Sequence, residues 1–301
     1  MRRTRRTAPA EVVLPTKRKE PDLDLSHYTG LVYGPPKIGK TTFLSQWPDA
    51  LFLTTEPGTK GLSIFEEPIP NWSKLRRTVT ALEKEPKRFR TVVIDTVDLA
   101  YDMCLDYVCK ELSIPYPGED ASGKEDWGRS WKAVRDEFTD VVARILRTER
   151  GLWFTSHARE REIKTRSHEK YDRIGPTMSK QASAVVEALV DIFFYVDYMR
   201  TTEGKVIRVL VCEGDETVWA GHRQTAGDFP ALLPLPQKGG YEMFVRAFNG
   251  KHPGIDPTTL ISHRTTSPAL TKLVRKMATE PGKEATRVAK PAAKKRPARR
   301  T

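Results

Sequence analysis

Residues 34–41 read Gly-Pro-Pro-Lys-Ile-Gly-Lys-Thr, a G-x-x-x-x-G-K-[ST] pattern whose residue types suit one task, the grip of a chain of phosphates. Gly34 and Gly39 permit backbone angles and close approach that a side chain would block, so successive N–H groups can point at anionic oxygens. Lys40 would pair with the outer phosphates, and Thr41 would offer its hydroxyl to Mg²⁺. Pro35 and Pro36 donate nothing and stiffen the approach; Lys37 and Ile38 complete the loop, and Thr42 continues into a helix-like run with Phe43 and Leu44. With the apolar run Leu31-Val32-Tyr33 ahead of it, the motif has the strand–loop–helix context that predicts a nucleoside triphosphate site.

A metal-bound triphosphate needs a second oxygen ligand, and the apolar strand Thr91-Val92-Val93-Ile94 ends in Asp95, a candidate Mg²⁺ ligand acting through water. Hydrolysis also needs a group that positions water. In one arrangement an acid follows the metal-site Asp directly, but Thr96 stands there and the next acid is Asp98. In the other, a glutamate ends the strand after the phosphate-loop helix, and Leu51-Phe52-Leu53-Thr54-Thr55 ends in Glu56. Glu56 is the candidate catalytic acid; the competing reading is a plain turn residue before Pro57-Gly58.

A later strand, Gly151–Thr155, delivers Ser156 and His157 at the edge where open α/β sheets bind ligands, as candidate sensors of the γ-phosphate. The following segment, Ala158 to Gly175, mixes Arg159, Arg161, Lys164, Arg166, Lys170 and Arg173 with Tyr171 and four acids. It reads either as a grip on a single nucleic-acid strand or as a solvated mobile loop. Arg223, after Val218-Trp219-Ala220-Gly221-His222, is a candidate finger toward a neighbouring subunit's nucleotide, or an ordinary surface arginine.

The elements that must position these residues alternate short apolar runs with longer amphipathic ones, the pattern of a parallel α/β sheet. Strands are predicted near 29–33, 50–55, 90–95, 151–156, 191–198 and 205–212. Helices are predicted near 40–47, 73–85, 98–112, 128–148 and 178–189, where apolar residues recur at helical spacing. Ser113–Asp126, rich in Pro, Gly and acids, reads as a loop. Beyond about 249 the core pattern thins, with one short helix near 267–278. The expected division is a basic disordered tail over 1–27, an ATPase-sized core over 28–248, and a linker, short helix and basic disordered tail over 249–301.

Charge follows the same division. The chain's net +12 lies wholly in its ends, because residues 1–20 carry seven Lys/Arg against two Glu and residues 281–301 carry eight against one. Such tails attract polyanions, nucleic acid first among them; merely solubilising extensions are the alternative. Three cysteines lack metal spacing and read as reduced packing residues. Neither a membrane-spanning run nor a secretory signal is evident, so a cytoplasmic location is expected, without a membrane partner.

Taken together, the phosphate loop behind a strand starting near Tyr28, Glu56-Pro57-Gly58-Thr59, Val92 to Asp98, Gly128 with Trp131-Lys132, and Thr155-Ser156-His157 resemble phage-encoded, core-only RecA-like P-loop ATPases, the Sak RecA-like group of single-strand annealing proteins. The resemblance spans about residues 28–235. It implies a RecA-like P-loop NTPase core, a mainly parallel β-sheet flanked by helices, with ATP and Mg²⁺ as ligands. It would make Lys40 and Thr41 the phosphate and metal contacts, Asp95 the metal-site acid, Glu56 the catalytic acid and His157 the sensor. The implied activity is ATP-dependent binding and annealing of single-stranded DNA in phage recombination, alongside a single-strand-binding protein, by a homo-oligomer in the host cytoplasm.

Two departures stand out. Filament-forming recombinases dock through a Phe-x-x-Ala-type segment ahead of the core, and residues 1–28 contain no Phe. Their paired basic finger is reduced to His222-Arg223. A clamp-loader-type ATPase, acting as helicase loader or packaging motor, and a non-hydrolysing nucleotide-gated adaptor stay open as alternatives.

Overall fold

A computed structural model describes residues 14–85, 88–164, 170–223 and 229–279. In chain order its elements are β1 (Thr29–Gly34), α1 (Lys40–Leu44), β2 (Ala50–Thr54), β3 (Phe65–Pro68), α2 (Trp72–Lys84), β4 (Thr91–Asp95), α3 (Val97–Glu111), α4 (Arg129–Leu146), β5 (Gly151–Lys164), β6 (Lys170–Pro176), α5 (Lys180–Leu189), β7 (Ile192–Thr201), β8 (Val206–Val211), β9 (Gly221–His222), β10 (Leu232–Pro234), α6 (Gly240–Phe248), β11 (Leu260–Ile261) and α7 (Pro268–Thr279). Most of the expected tail residues, 1–13 and 280–301, lie outside the described residues, as do Arg166 and Glu169.

The main sheet runs β10-β8-β7-β1-β5-β4-β2-β3. From β7 to β3 every neighbouring pair is parallel. The fold is therefore α/β, a mainly parallel sheet covered by helices on both faces. The parallel part of the sheet ends before 205–212. There β8 returns antiparallel to β7, because only a tight turn through Gly204 links them, and a parallel return needs a crossover of a dozen or more residues.

Burial follows the sequence pattern. The parallel strands are covered on both faces, so β1, β2 and β4 are buried at every position. On α2 the buried residues Trp72, Leu75, Val79 and Leu82 form one stripe, and Asn71 caps its start by accepting from the Lys74 N–H at 2.9 Å. One face of the sheet packs against α2 to α5 and α7. The other packs against α1 and α6, whose Phe43, Phe244 and Phe248, with Trp47 just after α1, close around Trp153 and Phe194.

Packing continues past both expected ends of the core. Leu25 is buried before residue 28, and Leu270, Leu273 and Val274 of α7 join the main cluster after residue 248. The amphipathic stripe of α7 has an apolar face to bury, and the sheet offers the surface. Among the described residues no helix is long and apolar enough to cross a membrane.

Candidate nucleotide and metal site

Because β1, β2, β4 and β5 run parallel, their carboxyl ends share one edge, and Gly34, Glu56, Asp95 and His157 collect there. At Gly34 a Cβ would lie 2.5 Å from the Val196 carbonyl oxygen on β7, so β1 can sit this close to its neighbour only with glycine. The chain then turns through Pro35 and Pro36, with Lys37 at φ 62° and Gly39 at φ 103°, before α1 begins. The Ile38 side chain is buried and ties the loop to the core beneath α1. Thr42 lies in the first turn of α1, and its carbonyl accepts from Gln46 at 3.1 Å.

Lys40 is buried, and its Nζ donates to the carbonyls of Gly34 and Pro35, each at 3.0 Å. Burial pushes its pKa down to about 8, against the opposing pull of Asp95, Glu56 and Asp98. The Thr41 hydroxyl donates to Asp95 Oδ2 at 2.8 Å, and Thr155, on the strand inserted between β1 and β4, hydrogen-bonds to Asp95 Oδ1. Two hard oxygen donors thus meet at the rim of the loop, beside an ammonium that no carboxylate pairs among the described residues. That donor set fits a triphosphate with Mg²⁺: Lys40 would hold phosphate oxygens, and Thr41 with Asp95 would hold the metal. No separate cluster of His, Cys, Asp or Glu suited to a metal occurs among the described residues.

Glu56 and His157 meet across this edge, with Nε2 of the imidazole 3.4 Å from Oε1 of the carboxylate and both side chains about one-third exposed at 34%. Thr55 fixes the turn that carries Glu56. Its hydroxyl donates to the Thr96 carbonyl at 3.0 Å and accepts from the Thr96 N–H at 2.8 Å. Ser156 does not join the phosphate loop. Its hydroxyl donates to Asp98 Oδ1 at 2.9 Å, and that oxygen also accepts from Thr177 at 2.6 Å. The other oxygen, Asp98 Oδ2, and His157 Nδ1 are buried without partners among the described residues.

Arg223 stands apart from the site. Its N–H donates to the Asp191 carbonyl at 2.8 Å and its guanidinium lies 3.4 Å from the Asp191 carboxylate. Asp191 in turn binds Thr29 at the start of β1, so Arg223 occupies the edge opposite the phosphate loop. Within its own chain it lies at the far edge of the sheet from residues 34–41.

The segment expected as a loop over 158–175 is instead largely a β-hairpin, in which β5 runs on past His157 and pairs with β6. Alternation sorts its charges. Arg159, Arg161 and Ile163 share a face with Arg173 and Tyr171, while Glu160, Glu162 and Asp172 share the other with Lys164 and Lys170, the last of which pairs with Glu162 at 2.9 Å. Arg161 is directly opposite Arg173. Arg161 also donates to the Met178 carbonyl at 2.7 Å, and the Arg173 guanidinium sits 5.0 Å from the centre of the Trp219 ring. Among the described residues, no carboxylate forms an ion pair with Arg159, Arg161 or Arg173. The linear sequence shows mixed charge, and only strand pairing separates the arginines from the acids.

Sequence reasoning also passed over Thr155, Thr177 and Arg208. The last has a visible signal, a lone cation inside the apolar run Val206–Val211 of β8. Its Nη1 donates to the Ile38 carbonyl at 3.1 Å.

The sequence profile of the AAA domain family matches residues 26–224. The SPbeta prophage-derived uncharacterized protein YorG of Bacillus subtilis (strain 168) is 24% identical over 170 residues, covering 55% of this chain and 49% of that protein. The chain therefore spans about half the length of this curated relative. Among solved structures, the RadB recombinase aligns over 71% of this chain and 90% of its own at 16% identity, with a TM-score of 0.39.

Proposed function

The chain belongs to the AAA domain family of P-loop ATPases, and from that premise we propose that it binds and hydrolyses ATP to control its hold on single-stranded DNA, in phage recombination or annealing. The observation that carries the DNA half of this reading is the arginine face of the β5–β6 hairpin. Like charges placed directly opposite each other on a sheet are destabilising, so Arg161 facing Arg173 without a paired carboxylate favours a polyanionic partner. Tyr171 on the same face offers a ring for one stacked base.

In this mechanism Lys40 and the N–H groups of the loop hold the triphosphate, and Thr41 and Asp95 hold Mg²⁺. When bound, the metal neutralises charge on the phosphates. Glu56 orients water and accepts its proton. His157 holds Glu56 from the neighbouring strand and passes any shift of that carboxylate into the hairpin. The single strand is released when Glu56 and His157 relax after hydrolysis. The basic ends of the chain add sequence-independent attraction. A homo-oligomer, a single-strand-binding protein as partner, Arg223 acting on a neighbour's nucleotide, and a host-cytoplasmic location complete the proposal. The clamp-loader alternative is disfavoured by Thr96, which occupies the position after Asp95 and engages Thr55.

Steady-state ATP hydrolysis with and without an oligothymidine strand tests this reading. Wild type should be stimulated, and the double variant Arg159→Ala/Tyr171→Ala should keep its basal rate while losing the stimulation. Its DNA affinity should fall, with a salt slope reduced by roughly one phosphate contact. DNA-independent turnover in the wild type would reject the DNA assignment and leave a P-loop ATPase with another partner.

A further inference from the structure

Arg208 lies within β8 between Ile207 and Val209, and faces Tyr198 across the β7–β8 pair. Its Nη1 donates to the Ile38 carbonyl inside the phosphate loop at 3.1 Å. The place a Cβ would take on Gly39 falls on that same nitrogen, so the guanidinium rests directly on the loop backbone. Glycine at 39 therefore serves twice. It permits φ 103°, and it leaves room for the arginine.

Among the described residues, Arg208 has no carboxylate partner. A guanidinium stays charged and carries five N–H donors in a planar fork, of which the Ile38 carbonyl uses one. A half-buried cation without a counter-anion is costly, and the cost falls when an oxyanion arrives. Lys40 approaches the loop from within, through the carbonyls of Gly34 and Pro35, whereas Arg208 approaches from outside over Ile38 and Gly39.

We propose that Arg208 is a nucleotide-binding residue of this chain's own site, pairing through its guanidinium with the phosphates of a nucleotide held by residues 34–41. The proposal rests on reading those residues as a phosphate loop. It needs no neighbouring subunit, unlike a role for Arg223. Without nucleotide, Arg208 splints the loop by its bond to Ile38; with nucleotide, the free donors of the fork take the phosphate oxygens.

The test compares full-length wild type, Arg208→Gln, Arg208→Lys and Lys40→Ala, using fluorescent ATP and ADP analogues for affinity and thermal melting without nucleotide for stability. Glutamine keeps a polar N–H donor on a shorter side chain and removes the charge. Arg208→Gln should melt within about 2 °C of wild type, as expected when less than 1 kcal/mol is lost. It should bind ATP on the order of tenfold more weakly, with Arg208→Lys recovering part of the loss. The deficit should shrink as salt rises. Wild-type affinity in Arg208→Gln, or an affinity loss matched by a lowered melting temperature, would reduce Arg208 to a structural brace and overturn the assignment. A wild-type chain that binds neither nucleotide, or Lys40→Ala that binds as well as wild type, would overturn the phosphate-loop reading and this assignment with it. Tight wild-type binding lost in Lys40→Ala but kept in Arg208→Gln overturns the assignment alone.

Discussion

The imidazole of His157 stands 3.4 Å from the carboxylate of Glu56, bridging the strand that leads into the hairpin and the turn that follows β2. The pair lies one-third exposed on the edge that carries Lys40, where a carboxylate can reach water while the imidazole fixes its direction. Glu56→Gln should leave ATP affinity near wild type and slow turnover by on the order of a hundredfold, because an amide cannot accept the proton from attacking water. Unchanged turnover in single-turnover assays would remove Glu56 from the chemistry. His157→Ala should cost less in basal turnover than Glu56→Gln and more in stimulation by DNA.

Lys40 gives the site a defined response to pH. Burial lowers its pKa to about 8 in the nucleotide-free fold, below the ordinary lysine value of 10.5. Between those two values the folded chain holds fewer protons at this site than the unfolded chain, so this group's contribution to stability rises with pH across that window. Bound phosphate favours the ammonium form and raises the pKa again. ATP binding above about pH 8 should therefore take up protons, and affinity should weaken as pH climbs through that value. Calorimetry at pH 8.5 in two buffers of different ionisation enthalpy reads the uptake; identical apparent enthalpies would contradict it.

That residues 34–41, Asp95 and Glu56 come together is legible in the sequence because each sits at a strand end, and strand ends of a parallel sheet share one edge. The hairpin is not legible in the same way. Arg159, Glu160, Arg161 and Glu162 alternate in sign, which reads as solvated coil until pairing with β6 puts the arginines on one face and the acids on the other. The place of Arg223 is not legible either. It follows a strand-like run in sequence, but β9 pairs antiparallel with the start of β7 and leaves it at the far edge. Arg208 belongs to β8, whose antiparallel return no periodicity reveals, and only that return brings it over Ile38. Local pattern specifies strands and helices; contacts between strands distant in sequence depend on order and direction.

Phe244 couples the stability of the fold to the phosphate loop. It is fully buried, and its ring meets those of Phe43, Trp47, Trp153, Phe194 and Phe229. Phe43 belongs to α1, the helix that opens at Lys40. Phe244→Ala should destabilise the fold by about 3–5 kcal/mol, the usual cost of the lost burial plus the cavity left behind. Denaturant unfolding measures the loss. Saturating ATP should recover part of the melting temperature, since binding stabilises only the folded loop. A variant within 1 kcal/mol of wild type, judged against that range, would mean α6 is not part of the cooperative core.

Asp98 ties both feet of the hairpin to the start of α3, accepting from Ser156 on β5 and from Thr177 just after β6 through one oxygen. Asp98 lies three residues beyond Asp95, so these two hydroxyls link the end of β4 to the hairpin, and under the proposed function they would carry a change at Asp95 to it. Thr177→Val removes one of them while keeping the size of the side chain, and leaves Lys40, Thr41, Asp95 and Glu56 untouched. It should cost about 1–3 kcal/mol of stability, the usual range when a partly buried hydrogen bond to a carboxylate is lost. Nucleotide affinity should stay at the wild-type value, and the stimulation of ATP turnover by single-stranded DNA should fall several-fold. Full stimulation in Thr177→Val would show that the hairpin reports to the nucleotide through His157 and Glu56 alone.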